Sequence, residues 1–182
     1  GKAEGAVIDL RDYQHSAVSQ VRDAMRSGGK RVVLVLPTGA GKTRTGAAIV
    51  ESAVAKGRRV AWLAHRTELI EQTAKTLHGF GLPVGVVAAS SAWPTDAAAP
   101  VQVCSVQTLL AREHRPPADL LVWDECHHAS ESAPAWAALL AAYPSVPAIG
   151  LTATPERGDG SGLAPLFDRL VVGVTVRTLT AQ

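Results

Sequence analysis

Arg31-Val32-Val33-Leu34-Val35-Leu36-Pro37-Thr38-Gly39-Ala40-Gly41-Lys42-Thr43 passes from an apolar run through a glycine-rich turn to a cation and a hydroxyl. The run before the turn predicts a strand over Val32–Leu36, and the pattern after it predicts a helix over Lys42–Lys56. On that helix Ala47, Val50 and Val54 share a face, and Gly57 follows Lys56 as a C-terminal cap. Strand, glycine turn and helix in that order form a phosphate-binding loop. Glycines let backbone N–H groups turn inward on an anion, and the helix N-terminus adds the positive end of its dipole. Lys42 can reach the β- and γ-phosphates of a nucleoside triphosphate, and the Thr43 hydroxyl can hold Mg²⁺. Pro37, Thr38, Gly39, Ala40 and Gly41 supply the cradle. A glycine is usual six residues before the lysine, and Leu36 stands there instead.

Length and composition bound the rest. The chain has 182 residues, 47% hydrophobic and 19% charged, which fits one soluble globular domain with a full core. The net charge of +2 gives no global signal for a polyanion, so a nucleic-acid surface has to be local. Cys104 and Cys126 form no CxxC pair and lie in apolar runs, so two free buried thiols in a reducing, cytoplasmic compartment are expected. No apolar run approaches a membrane span, and no signal-peptide pattern opens the chain.

Strands and helices alternate. Further strands are predicted over Val60–Ala64, Val84–Ala88, Val101–Ser105, Leu120–Asp124, Ala148–Thr152 and Leu170–Val176, mostly as continuous apolar runs. Such runs belong to a parallel sheet covered on both faces. Further helices are predicted over Asp12–Arg26, Thr67–His78, Gln107–Arg112 and Ala135–Ala142. The alternation implies a doubly wound α/β fold with a mostly parallel sheet and helices on both faces. The Ser/Ala/Pro-rich loop Ala89–Pro100 carries Trp93, which is expected to pack back on the domain. In sheets of this kind ligands sit beyond the carboxyl ends of the strands. The polar runs Ala64-His65-Arg66, Asp124-Glu125-Cys126-His127 and Thr152-Ala153-Thr154-Pro155 all fall at such ends.

Leu121-Val122-Trp123-Asp124-Glu125 is an apolar strand ending in two acids. After a phosphate loop, a strand-end Asp completes the Mg²⁺ shell and a neighbouring carboxylate orients or deprotonates the attacking water. Asp124 takes the metal side and Glu125 the general-base side. Adjacent strand residues point opposite ways, so both roles require the strand to bend out at its end. His127 suits a coupling role beside the γ-phosphate better than a zinc site, for which no second ligand cluster is spaced. Near the N-terminus, Leu10-Arg11-Asp12-Tyr13-Gln14 opens a helix, and a Gln side chain offers adenine a bidentate match. Arg157-Gly158-Asp159 spells an adhesion tripeptide by chance composition and is set aside.

Taken in order, these runs resemble the first motor domain of superfamily 2 helicases and translocases, in their DEAH/DExH-like part. Leu10–Gln14 is similar to the adenine-reading Q motif, Leu36–Thr43 to motif I, Ala64–Gln72 to motif Ia and Asp124–His127 to motif II, with Cys126 where Ala is usual. Gly150–Arg157 is similar to motif III, and Val103–Leu109 stands where a nucleic-acid-contacting motif is found. The Asp-Glu-Cys-His-His and Thr-Ala-Thr-Pro-Glu-Arg runs look most like the branch holding excision-repair translocases and restriction-enzyme motor subunits. The resemblance implies a RecA-like domain over 8–176 that uses ATP and Mg²⁺ and works on DNA. It implies catalysis by Lys42, Asp124 and Glu125, adenine contact by Gln14 with Arg11 nearby, and coupling through His127, Thr152 and Thr154. Arg66, Gln107 and Thr108 would touch the nucleic-acid backbone. Residues 1–7 read as a tail, and 177–182 as the start of a linker to a second RecA-like domain that this chain lacks. The domain alone is therefore expected to bind ATP weakly and turn over poorly. Two other readings stay open: an RNA-directed DExH enzyme, and a nucleotide-gated nucleic-acid-binding module without motor activity.

Overall fold

A computed structural model describes residues 8–36, 41–113, 115–126, 133–153, 166–172 and 175–178. In chain order the elements are α1 (Asp12–Arg26), β1 (Arg31–Val35), α2 (Lys42–Ala55), β2 (Val60–Ala64), α3 (Thr67–Gly79), β3 (Val84–Val87) and β4 (Val101–Ser105). They continue with α4 (Val106–Ala111), β5 (Leu120–Asp124), α5 (Ala133–Ala142), β6 (Ala148–Thr152), β7 (Arg169–Val172) and β8 (Thr175–Thr178). The strands form one sheet in the order β3-β4-β2-β5-β6-β1-β7-β8. Every pairing is parallel except β7 with β8.

That last pairing corrects one expectation. Leu170–Val176 reads as a single strand, but the chain reverses within it, with Val172 opposite Thr175 in an antiparallel pair. An apolar run interrupted only by Gly173 and Thr175 hides the reversal. The local signal is Gly173, because short connections containing glycine favour hairpins.

The two faces of the sheet follow from the period of two along each strand. Val32 and Leu34, Val60, Trp62 and Ala64, Leu120 and Val122, and Ile149 and Leu151 pack into one core with α1, α2 and α3. The alternate residues Val33 and Val35, Ala61 and Leu63, Leu121 and Trp123 pack into a second core with α4 and α5. On the first face α2 sits close because Gly46 has no side chain. A Cβ there would lie 2.7 Å from Trp62 Cη2 and 2.8 Å from Leu151 Cδ1. On the second face Trp123, Trp136 and Phe167 form a buried aromatic column, with ring centroids 3.6 and 5.6 Å apart.

Trp93 packs back on the domain. Its Nε1–H donates to the Val84 carbonyl at 3.3 Å, and its ring meets His78 edge-on. Both cysteines are free and buried. Burial pushes the Cys104 thiol up to about 12 and drives Cys126 higher still, so neither is a ready nucleophile. Among the described residues no helix is long and apolar enough to cross a membrane.

Candidate functional site

Parallel strands place all their carboxyl ends on one edge, and the sheet order groups what stands there. Asp124 ends β5, Thr152 ends β6 and β1 leads toward Lys42, so these three neighbouring strands make one cluster. Arg66 follows β2 and Gln107 follows β4, and these two neighbouring strands make a second cluster beside the first. Lys42 opens α2 after Gly41, whose φ of 71° is the left-handed conformation glycine tolerates. The Thr45 hydroxyl donates to the Gly41 carbonyl at 3.1 Å and fixes the first turn.

The Lys42 ammonium lies between two carboxylates. It is 2.8 Å from Asp124 Oδ1 and 2.5 Å from Glu125 Oε1. By strand alternation Asp124 shares its face with Leu120 and Val122, on the side of α2, and Glu125 would point away. Glu125 instead has a φ of 56°, a left-handed backbone that brings its side chain to the same lysine. The bend that both roles demand is therefore present, one residue past the strand. Burial by itself would lower the Lys42 pKa, but Asp124 and Glu125 outweigh it and raise the pKa above its ordinary 10.5.

The donor set suits a divalent cation. Asp124 is 5% exposed, and its Oδ1 faces the Lys42 ammonium. Two carboxylates against one ammonium leave excess negative charge, and the Thr43 hydroxyl stands next to Lys42 in the chain. Oxygen donors with surplus charge are what Mg²⁺ takes from a protein beside phosphates.

Gln14 is buried, and both ends of its amide are engaged. Its Oε1 accepts from the Arg11 backbone N–H at 2.8 Å, and its Nε2 leans on the Gly41 carbonyl at 3.4 Å. A Cβ on Gly41 would stand 2.5 Å from that nitrogen, so the start of α1 and the end of the phosphate loop are fitted to each other. Arg11 is exposed at the N-cap of α1. Thr152 is fully buried, and its carbonyl accepts from the Leu36 N–H at 3.0 Å, which ties the end of β6 to the entrance of the phosphate loop. Arg66 and Gln107 are exposed. Thr108 is buried, and its backbone N–H donates to Ser105 Oγ at 3.3 Å, capping α4. Pro37, Thr38, Gly39, Ala40, His127 and Thr154 lie outside the described residues.

Two features escaped the reading of the sequence. The His65 ring lies 5.2 Å from that of Trp123, tilted by 47°, so the residue before Arg66 touches the strand that carries Asp124. Cys126 fits because Gly150 faces it, where a Cβ would lie 2.8 Å from its Sγ. The only local signal for that pairing is a glycine inside the apolar strand β6, which marks a close approach.

Residues 7–157 match the family model described as the Type III restriction enzyme, res subunit. The chain belongs to that family. Its relatives include the Type I restriction enzyme EcoAI endonuclease subunit of Escherichia coli, 33% identical over 166 residues, covering 84% of this chain and 20% of that protein. The DNA 3'-5' translocase XPB2 of Sulfurisphaera tokodaii is 33% identical over 158 residues, covering 84% of this chain and 32% of that protein. The Hef helicase domain of Pyrococcus furiosus superposes with a TM-score of 0.67 at 28% identity, over 89% of this chain and 37% of that structure. The chain thus spans a fifth to a third of these curated relatives' lengths. Within the family it is a first RecA-like domain of the superfamily 2 helicase kind.

Proposed function

We propose that this chain is the ATP-binding half of a DNA-dependent ATPase motor, a helicase or translocase, with Mg²⁺ as the metal of its nucleotide. The observation that carries the reading is the Lys42 ammonium held between Asp124 and Glu125, with Glu125 turned by a left-handed backbone. In the free domain the lysine is ion-paired with both acids. An arriving triphosphate offers it stronger anionic partners, which draws Lys42 onto the phosphate oxygens and releases both carboxylates. Asp124, buried at the end of its strand, would then hold the nucleotide's cation together with Thr43. Glu125, half-buried at the rim, accepts a proton from the attacking water. Mg²⁺, when bound, neutralises charge developing on the β- and γ-phosphate oxygens.

The remaining assignments rest on position. Gln14 would read adenine after giving up its bond to the loop, with Arg11 beside it. Gly41, with Pro37, Thr38, Gly39 and Ala40, would cradle phosphates. Thr152, fixed between the strand of Asp124 and the strand of the phosphate loop, would couple nucleotide state to strand grip with His127 and Thr154. Arg66 and Gln107 would contact the nucleic-acid backbone, and Thr108 would hold the turn that presents Gln107. DNA is favoured over RNA because relatives are named restriction enzymes and a DNA translocase. A second RecA-like domain would close on this edge to complete the hydrolytic state.

The experiment separates binding from chemistry. A fluorescent ATP analogue is titrated with Mg²⁺ into this chain, and ATP turnover is followed in a protein that joins this chain to a second RecA-like domain, with single-stranded DNA, duplex DNA, RNA or no polymer. Lys42→Ala should abolish analogue binding. Glu125→Gln should keep it while cutting turnover by about 10²–10⁴-fold, the usual loss on removing a general base. Saturable binding that survives Lys42→Ala, or turnover that survives Glu125→Gln, contradicts the assignment.

A further inference from the structure

The amino ends of the parallel strands lie on the edge opposite Lys42 and Asp124. A cavity of about 410 Å³ opens there between α1, α2 and the starts of β5 and β6. Its floor is apolar, built from Val18, Val21, Met25, Ile49, Ala53 and Ile149. Its rim is cationic: Arg22, Arg26, Lys30, Lys56 and Arg58 are all exposed. The carboxylate in its wall, Asp119, is already matched. Its Oδ2 accepts from the Arg59 backbone N–H at 2.8 Å and lies 3.5 Å from Arg59 Nε.

The cavity does not end at this wall. Through Arg58, Asp119, Ser145 and Pro147 it runs into a second depression of about 480 Å³. Through Ala118 and Val146 that one runs into a third of about 380 Å³, whose wall adds Arg59 and Arg115 against Glu113. Ser145, at the first junction, has a φ of 66°, a conformation residues with side chains seldom adopt. The whole chain carries a net charge of only +2, so the cations gathered along this strip are a local feature.

Shape and chemistry together select the occupant. A compact small molecule would fill one depression and leave the others. A nucleic-acid backbone would satisfy the arginines and leave the apolar floor uncovered, since phosphate contacts need no apolar surface. We propose that this strip docks an acidic amphipathic protein segment, with apolar side chains on the floor and carboxylates against the rim. Electrostatic complementarity of this kind sets specificity and speeds encounter. The segment would bind on the edge away from the nucleotide, leaving that edge open.

The test is fluorescence anisotropy on this chain with a fluorescein-labelled peptide in which Leu and Phe alternate with Glu. One control peptide carries Lys for every Glu, another Ser for every Leu and Phe. The acidic amphipathic peptide should bind saturably and both controls should fail. Arg22→Glu with Arg58→Glu should weaken binding about tenfold or more, as reversal of contacting charges does. Arg22→Gln with Arg58→Gln should fall between, and a circular-dichroism melt checks that both variants fold. The proposal is overturned by no saturable binding up to about millimolar peptide, by equal binding to the charge-reversed variant, or by a Lys-bearing peptide that binds as well. Displacement of the peptide by a single-stranded DNA oligonucleotide would make the strip a phosphate site instead.

Discussion

At Glu125 the chain accepts a left-handed backbone so that a carboxylate bound for the far face reaches Lys42. For a residue with a Cβ that conformation costs about 1–2 kcal/mol, and strain of this order persists where the surroundings fix it. The sequence shows that Asp124 and Glu125 are adjacent and that alternation must fail if both are to act. It does not show which residue bends, because that depends on the ion pair formed after folding. Gln14 is similar: the sequence offers an amide suited to adenine, but its contact with Gly41 comes from packing α1 against the phosphate loop. Lys42 supports a prediction with a definite sign. Its folded pKa stands above 10.5, so its ion pairs contribute full stability below that pH and lose it as pH rises through the raised value. The melting temperature of wild type minus that of Lys42→Met should therefore stay constant from neutral to about pH 10 and narrow above it. Thermal melts across that range check this, and a gap unchanged far into alkali would show that the ammonium is not stabilised by these carboxylates.

Among the elements, the central strands were legible because burial on both faces leaves continuous apolar runs, and the helices because their buried residues recur at helical spacing, as at Gln14, Ala17, Val21 and Ala24 in α1. The reversal between β7 and β8 was not legible, since apolar residues continue through it on both sides of Gly173. How closely elements approach was also hidden. Gly46 lowers helix propensity by about 1 kcal/mol relative to Ala, yet it sits mid-helix because Trp62 occupies the space a methyl would need. Gly46→Ala should therefore lower stability by about 1–3 kcal/mol despite its better propensity, as overpacking does. Chemical denaturation decides it, and a stabilised variant would mean that α2 is free to move off the sheet. The pairing of β6 with the turn after β5 predicts a coupled effect. Gly150→Ala should destabilise by a similar overpacking cost of about 1–3 kcal/mol, and Cys126→Ala should recover part of it by removing the sulfur. Recovery should be incomplete, because Phe167 Cε1 would still lie 3.0 Å from the new methyl. Strictly additive effects in that cycle would show that the two positions do not share the space.

Across the whole molecule, what the sequence lacks is strand order. Local patterns place each polar run at a strand end, but only the assembled sheet shows that β5, β6 and β1 are neighbours and that β2 and β4 stand beside them. This order divides one edge into a half bearing Lys42 and Asp124 and a half bearing Arg66 and Gln107, with Thr152 inside the first and the His65–Trp123 contact at their border. The division supports a prediction in which the halves respond separately. Arg66 is exposed at the N-cap of α3 and makes no ion pair among the described residues, so its substitution should leave the fold and the Lys42 cluster intact. If it contacts a phosphate, each such contact releases condensed counterions and steepens the salt dependence of binding. Arg66→Ala should then weaken DNA binding across sequences and reduce the slope of log affinity against log salt by roughly 0.7–0.9. Affinity for a fluorescent ATP analogue should not change. Anisotropy titrations with labelled DNA at several salt concentrations measure the slope. An unchanged slope would remove Arg66 from the nucleic-acid surface. A loss of nucleotide affinity along with the slope would mean that the two halves of the edge are not separate sites.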